Sequence, residues 1–210
     1  MGAEMNPRKD AYTRVLNACA AALDGPLVEM AEFLPGPLPG ADIYRDDAPV
    51  RMSVVHHLPE SRDWTTPEFS ELVEAVIAGA EHFHWRTSYG VRDDGIDEDF
   101  IARYGYFNLV SPDGPFLCRD YRVTIAFWGS GLKYPEHNHD PEELYAVVAG
   151  DVEFRAEGRA PVQVGPGGMV HHLPRQLHAT DMVPGPMLSV VAWRGENLMR
   201  YAKISQGRKR

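Results

Sequence analysis

The sequence lacks the features that mark secreted and membrane-spanning proteins. It has only two cysteines, Cys19 and Cys118, which lie far apart and do not form a disulfide framework. It contains no apolar run of about 18 residues or more, so no segment is predicted to span a bilayer. Residues 1–6 contain no apolar stretch of signal-peptide length. From these absences we expect a cytoplasmic protein that has no membrane partner.

Positive charge is also scarce. The chain has 21 Lys and Arg residues against 30 Asp and Glu residues, a net charge of −9. Because binding to phosphates needs a basic surface, this balance argues against a nucleic-acid partner. A basic run, Arg208-Lys209-Arg210, closes the sequence, and we expect residues 205–210 to be a disordered tail. A small-molecule partner is expected instead, and the formation of a homodimer is left open.

The first part of the chain is predicted to be helical. Asn6-Pro7 is typical of a helix start, and apolar residues then recur at helical spacing until Asp24-Gly25-Pro26 ends the helix. Thr66 is predicted to cap a second helix, which Pro67 opens. We interpret the apolar faces of both helices as packing surfaces. The second face comprises Phe69, Leu72, Val73, Val76, Ala80 and Phe83.

From about residue 105 the apolar residues recur with a period of two, which is typical of strands. Residues 121–128 alternate in this way, and further short strands are predicted at 143–149, 151–156, 161–165, 169–173, 178–183 and 187–194. The turns between them are rich in glycine and proline. The sequence therefore predicts a mainly β sandwich or barrel at 105–204, with an N-terminal helical segment at 1–104 packed on it.

Polar side chains concentrate between the strand at 121–128 and the one that follows it. His137 and His139 are separated by one residue, so on an extended chain they point to the same side. Glu143 and Tyr145 share this relation on the following strand, and His178 lies on a later one. If these pairs face inward, imidazoles, a carboxylate and a phenol converge. Such a set suits Zn, Fe, Mn, Ni or Cu without selecting one of them.

These residues resemble the two conserved motifs of the cupin family. Gly131, His137, His139, Glu143 and Gly150 match the first motif without a gap. The stretch from Gly168 through Pro174 to His178 is similar to the second motif, although its proline-to-histidine spacing is one residue shorter. The resemblance implies a double-stranded β-helix, a jelly-roll barrel. It further implies one divalent transition metal per chain (Zn, Fe, Mn or Ni), bound by His137, His139, Glu143 and His178.

A narrower resemblance links residues 85–195 to the cupin lyases that cleave dimethylsulfoniopropionate (DMSP). The matching stretches are Tyr104–Pro115, Tyr134–Tyr145 and Val170–His178, together with Trp193. The resemblance implies a zwitterionic carboxylate as the substrate. The implied reaction is a β-elimination that releases dimethyl sulfide and acrylate.

The implied chemistry assigns roles to three aromatic residues. Tyr145 is expected to be the general base, because a nearby cation favours its phenolate. Tyr134 is the second candidate, as a proton carrier or a substrate contact. Trp193 is expected to face the sulfonium cation, with Trp128 and Phe127 as alternatives.

Other interpretations stay open at this point. A cupin dioxygenase would use the same ligands with Fe, would not need Tyr145 and would consume oxygen. A non-catalytic cupin would bind a small carboxylate without turning it over. His171 and His172 compete with His178 for the fourth ligand position, although they precede the turn. The histidines of the helical part are expected to be structural or exposed: His56, His57, His82 and His84.

Overall fold

The computed structural model of the protein describes residues 6–91, 93 and 95–205. Helices dominate the first hundred of these residues, and strands follow. The α-helices are α1 (Pro7–Leu23), α2 (Val28–Phe33), α3 (Ser70–Gly79) and α4 (Glu98–Arg103). Short 3-10 turns lie between them, at Ala41–Ile43, Ser53–His56, Leu58–Trp64, Pro67–Phe69 and Ala80–His82.

The strands form two sheets that face each other. The larger sheet has the order β2-β1-β3-β10-β5-β8, and the smaller has the order β11-β4-β9-β6-β7. Neighbouring strands are antiparallel, except that β1 and β2 are parallel. This arrangement confirms the predicted jelly-roll barrel with an N-terminal helical segment. The strands are β1 (Tyr104–Ser111), β2 (Phe116–Leu117), β3 (Tyr121–Trp128), β4 (Lys133–Asn138), β5 (Glu142–Ala149), β6 (Val152–Ala156), β7 (Val162–Val164), β8 (Met169–His172), β9 (His178–Asp181), β10 (Met187–Arg194) and β11 (Lys203–Ile204).

The central strands of the larger sheet are buried on both faces. In β3, Val123, Ile125 and Phe127 belong to the hydrophobic core that includes α1 and α3. The alternate residues Ala126 and Trp128 belong to a second core between the two sheets. Side chains alternate across a sheet, so these two sets of residues point to opposite faces. The outer face packs against the helices, and the inner face lines the barrel. Phe127, which the sequence offered as a sulfonium contact, therefore packs against the helices and not in the barrel.

The first helix agrees with its prediction, whereas the second differs at its ends. Asn6 caps α1 by accepting hydrogen bonds from two backbone N–H groups of the first turn. Thr66 makes no such side-chain bond, so its predicted capping role is wrong. The segment after it begins as a 3-10 turn and becomes α-helical only at Ser70. At Gly79 an added Cβ would lie 2.3 Å from the Phe83 ring, so that ring packs directly against the helix end.

The division into a helical segment at 1–104 and a barrel at 105–204 stays a prediction. The first strand begins at Tyr104, and β11 at Lys203–Ile204 extends the smaller sheet beyond the strands expected from sequence. Residues 206–210 of the predicted basic tail lie outside the described residues. No described helix is both long and apolar enough to cross a bilayer.

Gly150, the last residue of the first motif, is a tight point of the barrel. Its φ is +127°, and an added Cβ would lie 2.3 Å from the carbonyl oxygen of Pro186. We expect Gly150→Ala to lower the free energy of unfolding by about 1–3 kcal/mol or more, because strain and a backbone clash combine. Urea titration measures this loss. Gly158→Ala is the control, because Gly158 also has a positive φ (+78°) but no neighbour within 4 Å. Equal losses in both variants would show that the clash contributes nothing.

Candidate active site

The four predicted metal ligands converge between the two sheets. His137 lies on β4 and pairs directly with His178 on β9, while His139 follows β4 and Glu143 lies on β5. All four are at most 5% exposed. The ligand atoms of the three histidines lie within 4.8 Å of one another. Residues from both sheets thus meet at one buried point, as the spacing predicts.

Backbone carbonyl groups orient the three imidazole rings. A carbonyl oxygen can only accept a hydrogen bond, so each Nδ1 carries the proton and each Nε2 is the atom turned to the site. This orientation, with one nitrogen held by the backbone, is the one that metal-binding histidines usually adopt. The bonds join Nδ1 of His137 to Pro135 (2.9 Å), of His139 to Pro141 (2.9 Å) and of His178 to Gln176 (2.8 Å).

Glu143 is the negative charge at the centre of the site. Its Oε1 accepts a hydrogen bond from Nε1 of Trp193 (2.6 Å), and its Oε2 lies 2.9 Å from Nε2 of His139. Nε2 of His178 is 3.2 Å from Oε2 but makes no hydrogen bond. Burial alone would raise the pKa of Glu143, but His139 and His178 hold it well below its usual range. The carboxylate is therefore ionised and available as a ligand.

His172, one of the two residues that compete with His178 as the fourth ligand, also reaches the site. Its ring stacks on that of His178, with centroids 4.0 Å apart and an interplanar angle of 13°. With Glu143 and His178 it forms a second group of closely spaced ligand atoms. Burial lowers the pKa of His172 to about 3, so its imidazole is neutral. His171 instead bonds through Nε2 to Glu142 (2.7 Å), away from the site.

Both predicted tyrosines line the pocket beside these ligands. Tyr145 follows Glu143 on the same face of β5 and lines the pocket. The pKa of Tyr145 is raised well above its usual value, mainly by burial and further by the charge of Glu143. Tyr134 stacks on His137, with centroids 3.9 Å apart. The Tyr134 hydroxyl is 2.6 Å from that of Tyr89, a residue that the sequence did not single out. Tyr145 therefore lies two residues from Glu143 on the same strand, whereas the hydroxyl of Tyr134 contacts Tyr89.

Trp193 lies between two cationic or ionisable groups. Its ring centroid is 4.3 Å from that of His139 and 3.6 Å from Cζ of Arg122. Two groups at these distances cannot share one face of the ring, so they lie on opposite faces. The faces of Trp193 are therefore both occupied, while Trp128 lines the pocket as well.

Strand register explains how Trp193 contacts both Arg122 and Glu143. Arg122 on β3 pairs with Trp193 on β10, which pairs with Glu143 on β5, which pairs with His172 on β8. These four residues form one row across the larger sheet. Sequence reasoning missed Arg122, although its alternation with Val123 and Ile125 places it on the same face as Trp128.

The histidines of the helical part do not take part in the site. Nδ1 of His57 bonds to Glu60, and Nδ1 of His84 bonds to the backbone oxygen of Ala48, both at 2.9 Å. Neither belongs to a group of described residues that could hold a metal. Their predicted structural role fits these contacts.

The donor set fits a divalent transition metal. It combines imidazole nitrogens with a carboxylate oxygen, the ligand types that such ions prefer. One donor, Nε2 of His178, is buried and has no hydrogen-bond partner among the described residues. Buried polar atoms are normally satisfied, so an unpaired one turned to this cluster is an expected feature of a metal site.

Comparison with known proteins agrees with this arrangement. The profile of the dimethylsulfoniopropionate lyase family (DMSP_lyase) matches residues 37–189. The dimethylsulfoniopropionate lyase DddQ of Ruegeria pomeroyi is 32% identical over 148 residues, which are 70% of this chain and 73% of that protein.

Solved structures extend the similarity to almost the whole chain. A chain from the crystal structures of the DMSP lyases RdDddP and RnDddQII superposes with a TM-score of 0.87 at 32% identity, covering 95% of this chain and all of that one. The crystal structure of DddQ from Ruegeria pomeroyi superposes with a TM-score of 0.81 at 29% identity, covering 93% and 96%. The protein therefore belongs to the DMSP lyase family of the cupin superfamily.

Proposed function

We propose that the protein is a metal-dependent carbon–sulfur lyase that cleaves DMSP to dimethyl sulfide and acrylate. The observation that carries the proposal is the position of Tyr145, whose phenol stands on the same strand face as Glu143 beside a cluster of metal-type ligands. The metal would be held by His137, His139, Glu143 and His178, and Zn, Fe, Mn and Ni all suit these donors.

The reaction is a β-elimination in which atoms and charges balance. A base removes a proton from the carbon next to the carboxylate, and the electron pair forms a carbon–carbon double bond. The bond to sulfur breaks, and the sulfonium leaves as neutral dimethyl sulfide. When bound, the metal supplies Lewis-acid stabilisation for the negative charge that develops near the substrate carboxylate.

Tyr145 is the proposed base. Its protein surroundings alone raise its pKa, through burial and through the charge of Glu143. A phenolate at this position therefore requires a compensating cation nearby. A metal ion held by the ligand cluster would supply that charge. Tyr134 would then pass the proton outward through its hydroxyl contact with Tyr89.

The aromatic walls of the pocket suit the sulfonium end of the substrate. Tyr104 and Trp128 line it, and aromatic faces attract cations that have no hydrogen-bond donors. Trp193 also lines the pocket, but His139 and Arg122 cover both of its faces, so the face contact with the sulfonium that was expected of Trp193 would fall to Tyr104 and Trp128.

Trp193→Phe tests the hydrogen bond that holds Glu143. We expect metal affinity to fall by about 10–100-fold, the usual loss when a group that orients a ligand is removed. Competition with a chelator measures this change. Trp128→Phe is the matched control, because Nε1 of Trp128 is buried without a partner among the described residues. Equal losses in both variants would assign the effect to ring packing.

The proposed reaction is tested by headspace detection of dimethyl sulfide. The metal-loaded protein should release dimethyl sulfide from DMSP in an amount equal to the acrylate formed, and it should consume no oxygen. Oxygen consumption without dimethyl sulfide would support a dioxygenase. Binding of DMSP without any product would support a non-catalytic carboxylate-binding cupin.

A further inference from the structure

We propose that Arg122 binds the carboxylate of the substrate, as a second anchor beside the metal centre. The inference rests on the proposed function for the identity of the substrate. That the bound group is an anion follows from the surroundings of Arg122 in the structure. The inference adds a recognition residue outside the two cupin motifs.

Arg122 is a positive charge buried in the wall of the pocket. Its side chain lines the pocket and is 7% exposed. Its Nη1 donates to the backbone oxygen of Leu198 (2.8 Å), while its buried Nε has no hydrogen-bond partner in the part of the chain that the structure describes. Among the residues that the structure describes, no carboxylate forms an ion pair with it. A buried charge that lacks a counter-charge destabilises the fold, so an anionic ligand is the natural complement.

Other arginines of the protein show what Arg122 lacks. Arg86 pairs with Asp113 at 2.6 Å, and Arg194 pairs with Glu142 at 2.7 Å. Arg194 also stacks over an aromatic ring, that of Phe33, at 4.2 Å. Arg122 stacks over Trp193 in the same way. Its guanidinium lines the pocket, whereas those of the two other arginines each pair with a carboxylate. Stacking fixes the plane of the guanidinium and leaves its edge for a ligand.

The position of Arg122 suits a carboxylate that also faces the metal centre. Arg122 and Glu143 lie two strands apart in one row, so their backbones are about 10 Å apart and their side chains share one face. A carboxylate has two oxygens, and a guanidinium presents a fork of N–H donors that matches them. One oxygen can face the ligand cluster while the other accepts from Arg122. The sulfonium is then directed away from both positive charges, toward Tyr104 and Trp128.

A purely structural role for Arg122 makes a different prediction. Through Leu198 it holds the segment that brings Tyr201 and Ala202 to the pocket. If this were its whole function, loss of the charge would change stability but not the selective binding of an anion.

Propionate is the probe, because it carries the carboxylate of the substrate and has no leaving group. Isothermal titration calorimetry on the metal-loaded protein should show propionate binding about tenfold or more weaker in Arg122→Met, the scale of a lost hydrogen bond to a charged group. The KM for DMSP should rise by a similar factor. Arg194→Met is the matched control and should leave both values unchanged.

The outcomes separate this inference from the proposed function. If Arg122→Met binds propionate as the wild type does, the inference is wrong even if DMSP is cleaved. If the wild type does not cleave DMSP but propionate binding depends on Arg122, the inference stands and the proposed reaction fails. Arg122→Lys, which keeps the charge and loses the fork, decides the case in which Arg122→Met does not fold. Unchanged propionate affinity in the lysine variant would then overturn the proposal.

Discussion

Tyr145→Phe is expected to retain the metal and the fold but to lose the release of dimethyl sulfide. Phenylalanine keeps the packing of the ring against Trp128, Phe154 and His172 and deletes only the oxygen that accepts the proton. Loss of a general base lowers the rate by about 10²–10⁴-fold. Headspace analysis of dimethyl sulfide measures kcat, and elemental analysis of the same sample verifies the metal content.

Tyr134→Phe is the comparison that tests this assignment. Its hydroxyl contacts Tyr89 and is not adjacent to a proposed ligand in the strand, so its removal should cost less than that of Tyr145. If Tyr145→Phe released dimethyl sulfide at the native rate while Tyr134→Phe did not, the base would be Tyr134. If both variants were fully active, neither phenol could be the base.

Removal of either Glu143 or His178 is expected to empty the metal centre. In Glu143→Ala or His178→Ala, affinity should fall by more than about 100-fold, since even groups that only orient a ligand contribute 10–100-fold. Elemental analysis after gel filtration should find almost no metal in these variants. His171→Ala is the control, because His171 neighbours the site in sequence but bonds to Glu142 outside it. Full metal occupancy in the Glu143 and His178 variants would place the centre elsewhere.

His172→Phe distinguishes the predicted ligand set from the alternative group that the structure reveals. Phenylalanine can keep the stacking on His178 while it removes both ring nitrogens. With His137, His139, Glu143 and His178 as the ligands, this variant should keep one metal ion per chain. Loss of the metal would instead move the centre toward the group formed by Glu143, His172 and His178.

Local spacing accounts for the features that could be predicted from the sequence. A period of two places His137 with His139, and Glu143 with Tyr145, whatever surrounds the strands. The cap at Asn6 and the apolar face after it define α1 for the same reason, because these interactions join residues close in the sequence. The strand at 187–194 and most other strand positions follow from the same pattern.

Local sequence patterns do not predict contacts between segments that are distant in the sequence. The sequence does not show that helices cover the outer face of β3, so it does not show that Arg122 faces the barrel. The start of α3 at Ser70, after a 3-10 turn, likewise departs from a prediction that relied on Thr66 and Pro67 alone. Tyr89 and Tyr134 are 45 residues apart in the sequence, so no local pattern predicts the 2.6 Å contact between their hydroxyl groups.

The class of the site follows from local spacing alone. On an extended chain, the spacing of metal-binding side chains fixes which of them point to the same side. The remaining residues of the site are brought in by tertiary packing. Pairing of β3, β10, β5 and β8 in one register aligns Arg122, Trp193, Glu143 and His172 in a single row. Register depends on hydrogen bonds between strands that are remote in the sequence, and on which face the helices bury. The neighbours of Glu143 are therefore set by packing.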